Sequence, residues 1–262
     1  MQQHSNAYII GFAALVCLVC SIVVSSSAVS LRPLQSVNKE LDRQKQVLRV
    51  AGLLKPGESA DAAKVSRLFE QSIEPRVVDL ATGAYDDSID PSSYDQRSAT
   101  KDPQESRPAP PNNAGIQRVP NEAVVYQRID DGELEMVILP IEGKGLWSTL
   151  YGFIALAPDA TTITGITFYE HGETPGLGGE VDNPSWKQLW DGRKAFDPSG
   201  DVAIEVIKGH AGPPAEDPYE VDGLSGATIT SRGVSHLVQF WLSEKGFGPY
   251  LDRIREPKGG DA

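Results

Sequence analysis

Beyond Cys20 the sequence has no cysteine, and its two cysteines, Cys17 and Cys20, both sit in one apolar run near the N-terminus. The polar remainder therefore holds no disulfide framework and no thiolate metal cluster. The C-x-x-C spacing has the form of a redox or ligand pair, but two small apolar residues in a membrane helix account for it. Positive charge is scarce as well: 24 lysines and arginines stand against 36 acids, a formal net charge of −12. Binding a phosphate backbone needs a concentrated basic surface, which excludes nucleic acid as a partner. Histidine is rare and scattered, at His4, His171, His210 and His236, without H-x-x-x-H spacing, so no metal site is expected. The phosphate loop G-x-x-x-x-G-K-[ST] and the dinucleotide fingerprint G-x-G-x-x-G are both missing. "GLSGA" (223–227) has Ala227 where a nucleophile elbow needs its second glycine. NTPase, serine-hydrolase and direct NADH-binding readings weaken together.

Charge is absent altogether from residues 1–31, and "AYIIGFAALVCLVCSIVV" (7–24) is long enough to cross a bilayer core as a helix. A cleaved signal peptide would carry a basic n-region, and "MQQHSN" has none. Val16 and Val19 precede the two cysteines where a lipobox has a small residue. Residues 1–31 are thus expected to be an uncleaved transmembrane anchor. The six basic residues between Arg32 and Lys55, against Glu40 and Asp42, point by the positive-inside rule to a cytoplasmic C-terminal bulk.

The remaining length, in a chain of 262 residues, suits one medium-sized core. Residues 32–85 read as membrane-proximal helices and a first strand. Leu34, Val37, Leu41, Val47, Leu48, Ala51 and Leu54 recur near helical spacing until "KPG" (55–57) stops the pattern. A second helix follows in "SADAAKVSRLFEQSI" (59–73), capped by Ser59 or Asp61, and "RVVDLATGAY" (76–85) is a strand with a turn. Residues 86–120 are rich in Asp, Ser and Pro and are expected to form a long loop rather than core. Residues 121–255 form the main domain. There "EAVVYQRI", the turn "DDG", "ELEMVILPI", "LWSTLYGFIALA", the turn "PDATT" and "ITGITFYEH" predict a small sheet built from hairpins, with another strand in "VAIEVIKG" (202–209) and a helix from about Ser231 to Lys245. The fold class is α+β, a small antiparallel or mixed sheet with packed helices on one N-terminal transmembrane helix.

Two loops stand out by their lack of bulk. "VDGLSGATITS" (221–231) feeds the closing helix, whose Val234, Leu237, Val238, Trp241 and Leu242 form an apolar stripe. Small residues Ser225, Gly226 and Ala227 allow an anion close to free helix N–H groups, and Thr228 and Thr230 add hydroxyls. An ordinary helix start capped by Thr230 or Ser231 explains the same residues. "YEHGETPGLGGEVDNPSW" (169–186) spends four glycines and two prolines after an apolar strand, with Leu177 isolated among them, placed to lie on an aromatic ring. Tight turns alone are the competing explanation.

"GKGLWSTLYGFIAL" (143–156), "TGITFYEHGETPGLGGEVDNPSWKQLW" (164–190) and "DGLSGATITSRGV" (222–234), in that order behind one membrane span, resemble the C subunits (NqrC) of the sodium-translocating NADH:quinone oxidoreductases. The likeness runs on through "YDQRSATKDPQES" and covers nearly the whole chain. The related G subunit of the Rnf electron-transport complex shares the E-T-P-G-L-G and S-G-A-T elements, whereas "GKGLWSTLYGF" and the long insertion favour the quinone-reductase family. The resemblance implies covalent FMN, joined through a phosphoester to the last threonine of D-x-x-[ST]-G-A-T, here Asp222, Ser225, Gly226, Ala227 and Thr228. It makes Thr228 the attachment residue and no residue catalytic. Residues 121–255 become the FMN-binding domain. From their place in the glycine-rich loop and the first motif, Glu173, Thr174, Leu177, Gly178 and Trp147 are expected about the ring; Lys208, the nearest basic residue upstream of the attachment loop, is expected near the phosphoester, with a solvated lysine at a strand end as the alternative. It also implies a six-subunit complex in the bacterial inner membrane that couples NADH oxidation by ubiquinone to Na⁺ export. A flavin transferase using FAD and Mg²⁺ would act outside the cytoplasm, which puts the C-terminal domain in the periplasm against the charge count. The equivalent flavin subunit of an Rnf-type complex and a noncatalytic, membrane-anchored assembly subunit are the alternatives.

Overall fold

A computed structural model describes residues 5–55 and 58–255, so part of the expected "KPG" stop, and His4, lie outside the described residues. In chain order the elements are α1 (Asn6–Val50), α2 (Ala62–Ser72), β1 (Ile73–Asp79), α3 (Gln96–Lys101), β2 (Ser106–Pro108), β3 (Arg118–Pro120), β4 (Glu122–Asp130), β5 (Glu133–Lys144), β6 (Thr149–Leu156), β7 (Ile163–Glu170), α4 (Pro184–Gln188), β8 (Glu205–Val206), β9 (Glu220–Val221), α5 (Thr228–Leu242) and α6 (Gly248–Arg255). The fold is α+β, as the sequence predicts.

The chain divides into two compact units, residues 1–43 and 44–262. The first holds the one helical stretch among the described residues that is long and apolar enough to span a membrane, Asn6–Arg32, with a mean hydropathy of 2.7. The expected anchor and amphipathic helix are not separate elements: α1 runs unbroken for 45 residues.

In the second unit β1, β4, β5, β6 and β7 form one antiparallel sheet in the order β1-β4-β5-β6-β7. The β4–β5 hairpin turns at Asp131 and Gly132, both at positive φ (47° and 82°), the backbone that a two-residue hairpin requires. Both faces of the sheet are covered, which is why β5 reads as an apolar run instead of a strict alternation. On one face α5 is buried, with the whole expected stripe of Val234, Leu237, Val238, Trp241 and Leu242 inside. On the other, Phe69, Tyr126, Phe153 and Tyr169 form a run of ring contacts at 6.0, 5.7 and 5.2 Å between centroids.

Three expectations are corrected. Residues 86–117 are not loop throughout: they contain α3 and β2, which pairs with β3, and Ala99, Ser106 and Ala114 are buried. Arg97 holds this segment down, lying 3.6 Å over the Tyr151 ring and donating to Glu170 at 2.7 Å. The strand expected at 202–209 shrinks to β8, which pairs in parallel with β9. Residues 146–148, expected as the start of a strand, lie outside β6.

Candidate functional site

The close approach of α5 to β5 places everything that follows. Side chains at two glycines would prevent it: a Cβ on Gly233 would collide with the Lys144 carbonyl oxygen, and one on Gly143 with Leu237. Trp241 then donates its indole N–H to the Glu142 carbonyl at 2.7 Å. This contact sets the first turn of α5 beside residues 145–148, the link from β5 to β6.

α5 starts at Thr228, three residues earlier than expected, and neither Thr230 nor Ser231 is its cap. The cap position is Ala227, which has no side-chain hydrogen bond. The Ser231 hydroxyl instead accepts the Leu224 N–H at 3.0 Å, folding the preceding loop back on the helix. Gly226 there has φ +70°, a left-handed backbone that favours glycine. The opening amides of the helix thus face the loop without a capping side chain, an arrangement suited to an anion.

Glu173 ties the three loops together. Its carboxylate is buried, 5% exposed. It accepts the backbone N–H groups of Leu146 (3.2 Å), Trp147 (2.9 Å) and Ser148 (3.2 Å) and the Thr230 hydroxyl (2.6 Å). Three successive amides converging on one anion form a nest, filled here by the protein's own side chain. Burial by itself would raise the Glu173 pKa, but the Thr230 hydroxyl and the three amides together hold it below the ordinary carboxylate value. Gly178 has no room for a side chain, since a Cβ would come within 2.6 Å of Thr230 Oγ1 and 2.7 Å of Glu173 Oε2. His171 braces the same loop: its Nδ1 accepts the Glu173 N–H at 3.2 Å, and its Nε2 meets Asp182 at 2.8 Å.

The segments that meet at this buried knot also carry exposed apolar side chains. Thr228 is exposed, and so are Leu146, Trp147, Leu177 and Ile229, one or two from each of the three motifs. Trp147 is 67% exposed, an unusual state for a tryptophan in a folded domain. Leu177 reaches the start of α5, its Cδ2 lying 3.0 Å from where a Cβ on Gly226 would be. A planar ring fits such a surface, and a phosphate fits the uncapped helix start. Among the described residues no group of side chains could hold a metal ion.

The remaining predicted residues are less central. Ser225 and Thr174 are exposed, and the Thr174 carbonyl accepts the Leu177 and Gly179 amides. Asp222 does not face the helix start with its carboxylate. Both oxygens serve the next turn, with His210 Nδ1 at 2.6 Å and the Ala211 N–H at 2.9 Å. Lys208 is exposed beside Gly209, whose carbonyl accepts the Gly223 N–H at 2.9 Å. Two residues escape a reading of the sequence. Ile229 is hidden when the helix is started at Ser231, and Arg232, exposed on α5 four residues after Thr228, becomes readable from i,i+4 spacing once the true start is known.

Known proteins resemble this chain closely. The model of the FMN-binding domain family matches residues 145–243. The C subunit of the Na(+)-translocating NADH-quinone reductase of Pseudomonas aeruginosa is 47% identical over 258 residues, covering 97% of this chain and 98% of that protein. The corresponding protein of Vibrio alginolyticus is 49% identical over 241 residues, 91% of each chain. Among solved structures, that of Shewanella oneidensis NqrC has a TM-score of 0.76 at 36% identity, covering 83% of this chain and 99% of the other. That of the C subunit from Parabacteroides distasonis has a TM-score of 0.65 at 28% identity, with coverages of 84% and 96%.

Proposed function

The chain belongs to the NqrC family, the C subunits of the Na(+)-translocating NADH-quinone reductases, and we propose that it carries its flavin covalently, on Thr228. It is one part of a multi-subunit NADH-quinone reductase, with an FMN-binding domain and the role of a flavin electron carrier. The observation that carries the covalent reading is the setting of Thr228: exposed, first in an α5 without a side-chain cap, two residues from Gly226, against which Leu177 lies, and two from Thr230, which Glu173 ties to residues 146–148.

FMN supplies one- and two-electron chemistry that no side chain possesses. The protein's share is attachment, orientation and electrostatics. Attachment would join Thr228 Oγ1 to the flavin-side phosphorus of FAD in place of the adenylate oxygen, with AMP released and the hydroxyl proton given to solvent. The first amides of α5 and its dipole hold the phosphoester, while Ser225, Gly226 and Ala227 let it approach. Lys208 and Arg232 offset its charge from two sides of the loop. Trp147 and Leu177 would cover the ring and Ile229 and Leu146 would border it, while Thr174 and Gly178 shape the turn that presents Leu177. Asp222 acts one step back, by bracing the turn that bears Lys208.

In this reading residues 1–31 anchor the protein in the bacterial inner membrane. Residues 32–85 and 86–120 lead to the flavin domain at 121–255, which stands in the periplasm. A transferase attaches the FMN there, and five other subunits make up the rest of the enzyme that reduces ubiquinone and exports Na⁺. The resemblance supports the periplasmic side, because it implies flavin transfer outside the cytoplasm. The basic flank of the span opposes it.

The test is the protein purified from membranes, denatured and run on a gel under ultraviolet light, with its intact mass measured. Wild type should show a fluorescent band and the mass of one added FMN, mapping to the peptide with Thr228. Thr228→Ala should show neither while keeping its far-ultraviolet circular dichroism. A fluorescent band in that variant refutes the attachment, and an unmodified wild type returns the chain to the role of an assembly subunit.

A further inference from the structure

A cavity of about 470 Å³ shares no lining residue with the flavin site. It lies within the second unit, between the end of α1 with the turn after it, β7 and α4. Val50, Leu54 and Ile166 give it apolar walls, and Arg49 and Lys187 bring two cations to it against the single carboxylate of Asp191. Among the described residues neither Arg49 nor Lys187 takes part in an ion pair. Among the described residues the only hydrogen bond of the Lys187 ammonium is a long one, 3.4 Å to Thr167 Oγ1. Burial pulls the pKa of Lys187 down, Asp182 opposes that and Arg49 adds to it. Asp182 acts on the lysine only at a distance: its carboxylate hydrogen-bonds His171 at 2.8 Å and makes no ion pair with Lys187 among the described residues. On the same wall the Thr164 hydroxyl oxygen is buried with no hydrogen-bond partner among the described residues.

These features belong together. A half-buried ammonium with one weak acceptor, close to a second cation, is electrostatically unsatisfied. It is the more conspicuous in a protein of net charge −12, where most of the surface repels anions. A volume of this size holds a small organic ligand. We propose that the cavity binds a small anionic amphiphile, its carboxylate or phosphate ester on Lys187 and Arg49 and its apolar body against Val50, Leu54 and Ile166. The anion comes from a free organic acid or from the headgroup of an anionic lipid. The site is independent of the flavin, and its test stands whether or not Thr228 is modified.

The experiment uses the full chain in phosphatidylcholine nanodiscs. Lysines are acetylated under limiting reagent, and modification at each site is read by peptide mass spectrometry. Octanoate at saturation should slow acetylation of Lys187 about tenfold, the effect of a one-unit rise in its pKa on the free-amine fraction. Exposed Lys101 should not change. Octan-1-ol, with the tail and no charge, should have no effect, and inorganic phosphate should need a higher concentration than octanoate. Arg49→Gln, at an exposed position, should raise the half-protecting concentration about two- to fivefold. Dihexanoyl phosphatidylglycerol protecting below the octanoate concentration identifies a lipid headgroup as the source, and protecting only above it identifies a free acid. No slowing at Lys187, equal slowing at Lys101, or protection by octan-1-ol as good as by octanoate overturns the proposal.

Discussion

Replacing Glu173 with glutamine keeps the shape of the side chain and removes its charge, and the surrounding donors fix what that must do. The carboxylate takes three backbone N–H groups and one hydroxyl. Glutamine keeps one oxygen for Trp147 and Ser148, turns its NH₂ toward the Leu146 N–H, and leaves Thr230 to reverse its hydroxyl. Hydrogen bonds to a charged group are worth about 1.5–3 kcal/mol against about 0.5–1.5 for neutral ones, and a buried donor left alone costs about 1–3 kcal/mol. A net loss of about 2–4 kcal/mol follows. For a folded unit of this size each kcal/mol moves the thermal midpoint by roughly 2–4 °C, so Glu173→Gln should melt about 5–15 °C below wild type at pH 7. The acid dependence supplies a second reading. The folded-state pKa of Glu173 is depressed, so its stabilisation is present above the unfolded value of about 4.3 and is lost as pH falls through the lower folded value. The gap between variant and wild type should therefore be widest near neutrality and close below about pH 4. Thermal unfolding of the full chain, followed by circular dichroism at several pH values, measures both. A variant melting within about 1 °C of wild type at pH 7, or a gap that does not change with pH, would refute the staple.

Gly233→Ala should lower stability by about 1–3 kcal/mol or more, because the new methyl meets a backbone carbonyl that cannot swing away; denaturant unfolding reads it. Leu177→Asp in a normally flavinylated protein should lower the flavin's midpoint potential by setting a negative charge beside the ring, and an unchanged potential places Leu177 away from it. Thr228→Ala should leave the unfolding free energy within about 0.5 kcal/mol of unmodified wild type, since an exposed hydroxyl is lost and no core volume.

The elements that show in the sequence are those set by local chemistry. The hairpin at Asp131 and Gly132 follows from the backbone angles those residues tolerate, and Asp61 caps α2 by accepting the Lys64 amide. The misplaced elements depend on partners far along the chain. Residues 86–117 look like a linker by composition, yet they fold down because Arg97 finds Tyr151 and Glu170, more than fifty residues away. The start of α5 is hidden for a related reason. Hydroxyls are the obvious caps, but Thr230 is held by Glu173 and Ser231 by Leu224, so neither is free to serve.

The same logic explains why Glu173 can be placed in the site from its motif but not assigned its work. Its partners in the first motif are main-chain amides, and an amide has no sequence signature of its own. What the sequence does record is the room such contacts need. Gly145 and Gly178 border the carboxylate so closely that a Cβ on either would come within 2.6 and 2.7 Å of it, and Gly178 also crowds Thr230. The glycines of the second loop therefore have two separate causes. Gly176, at φ +76° with nothing near its missing side chain, serves the turn, whereas Gly178 serves the packing of Glu173 against α5. Alanine at each position separates them: strain confined to a loop for Gly176, and loss of the Glu173–Thr230 contact for Gly178. Only the second should share the pH dependence of Glu173→Gln, because only it reaches the carboxylate.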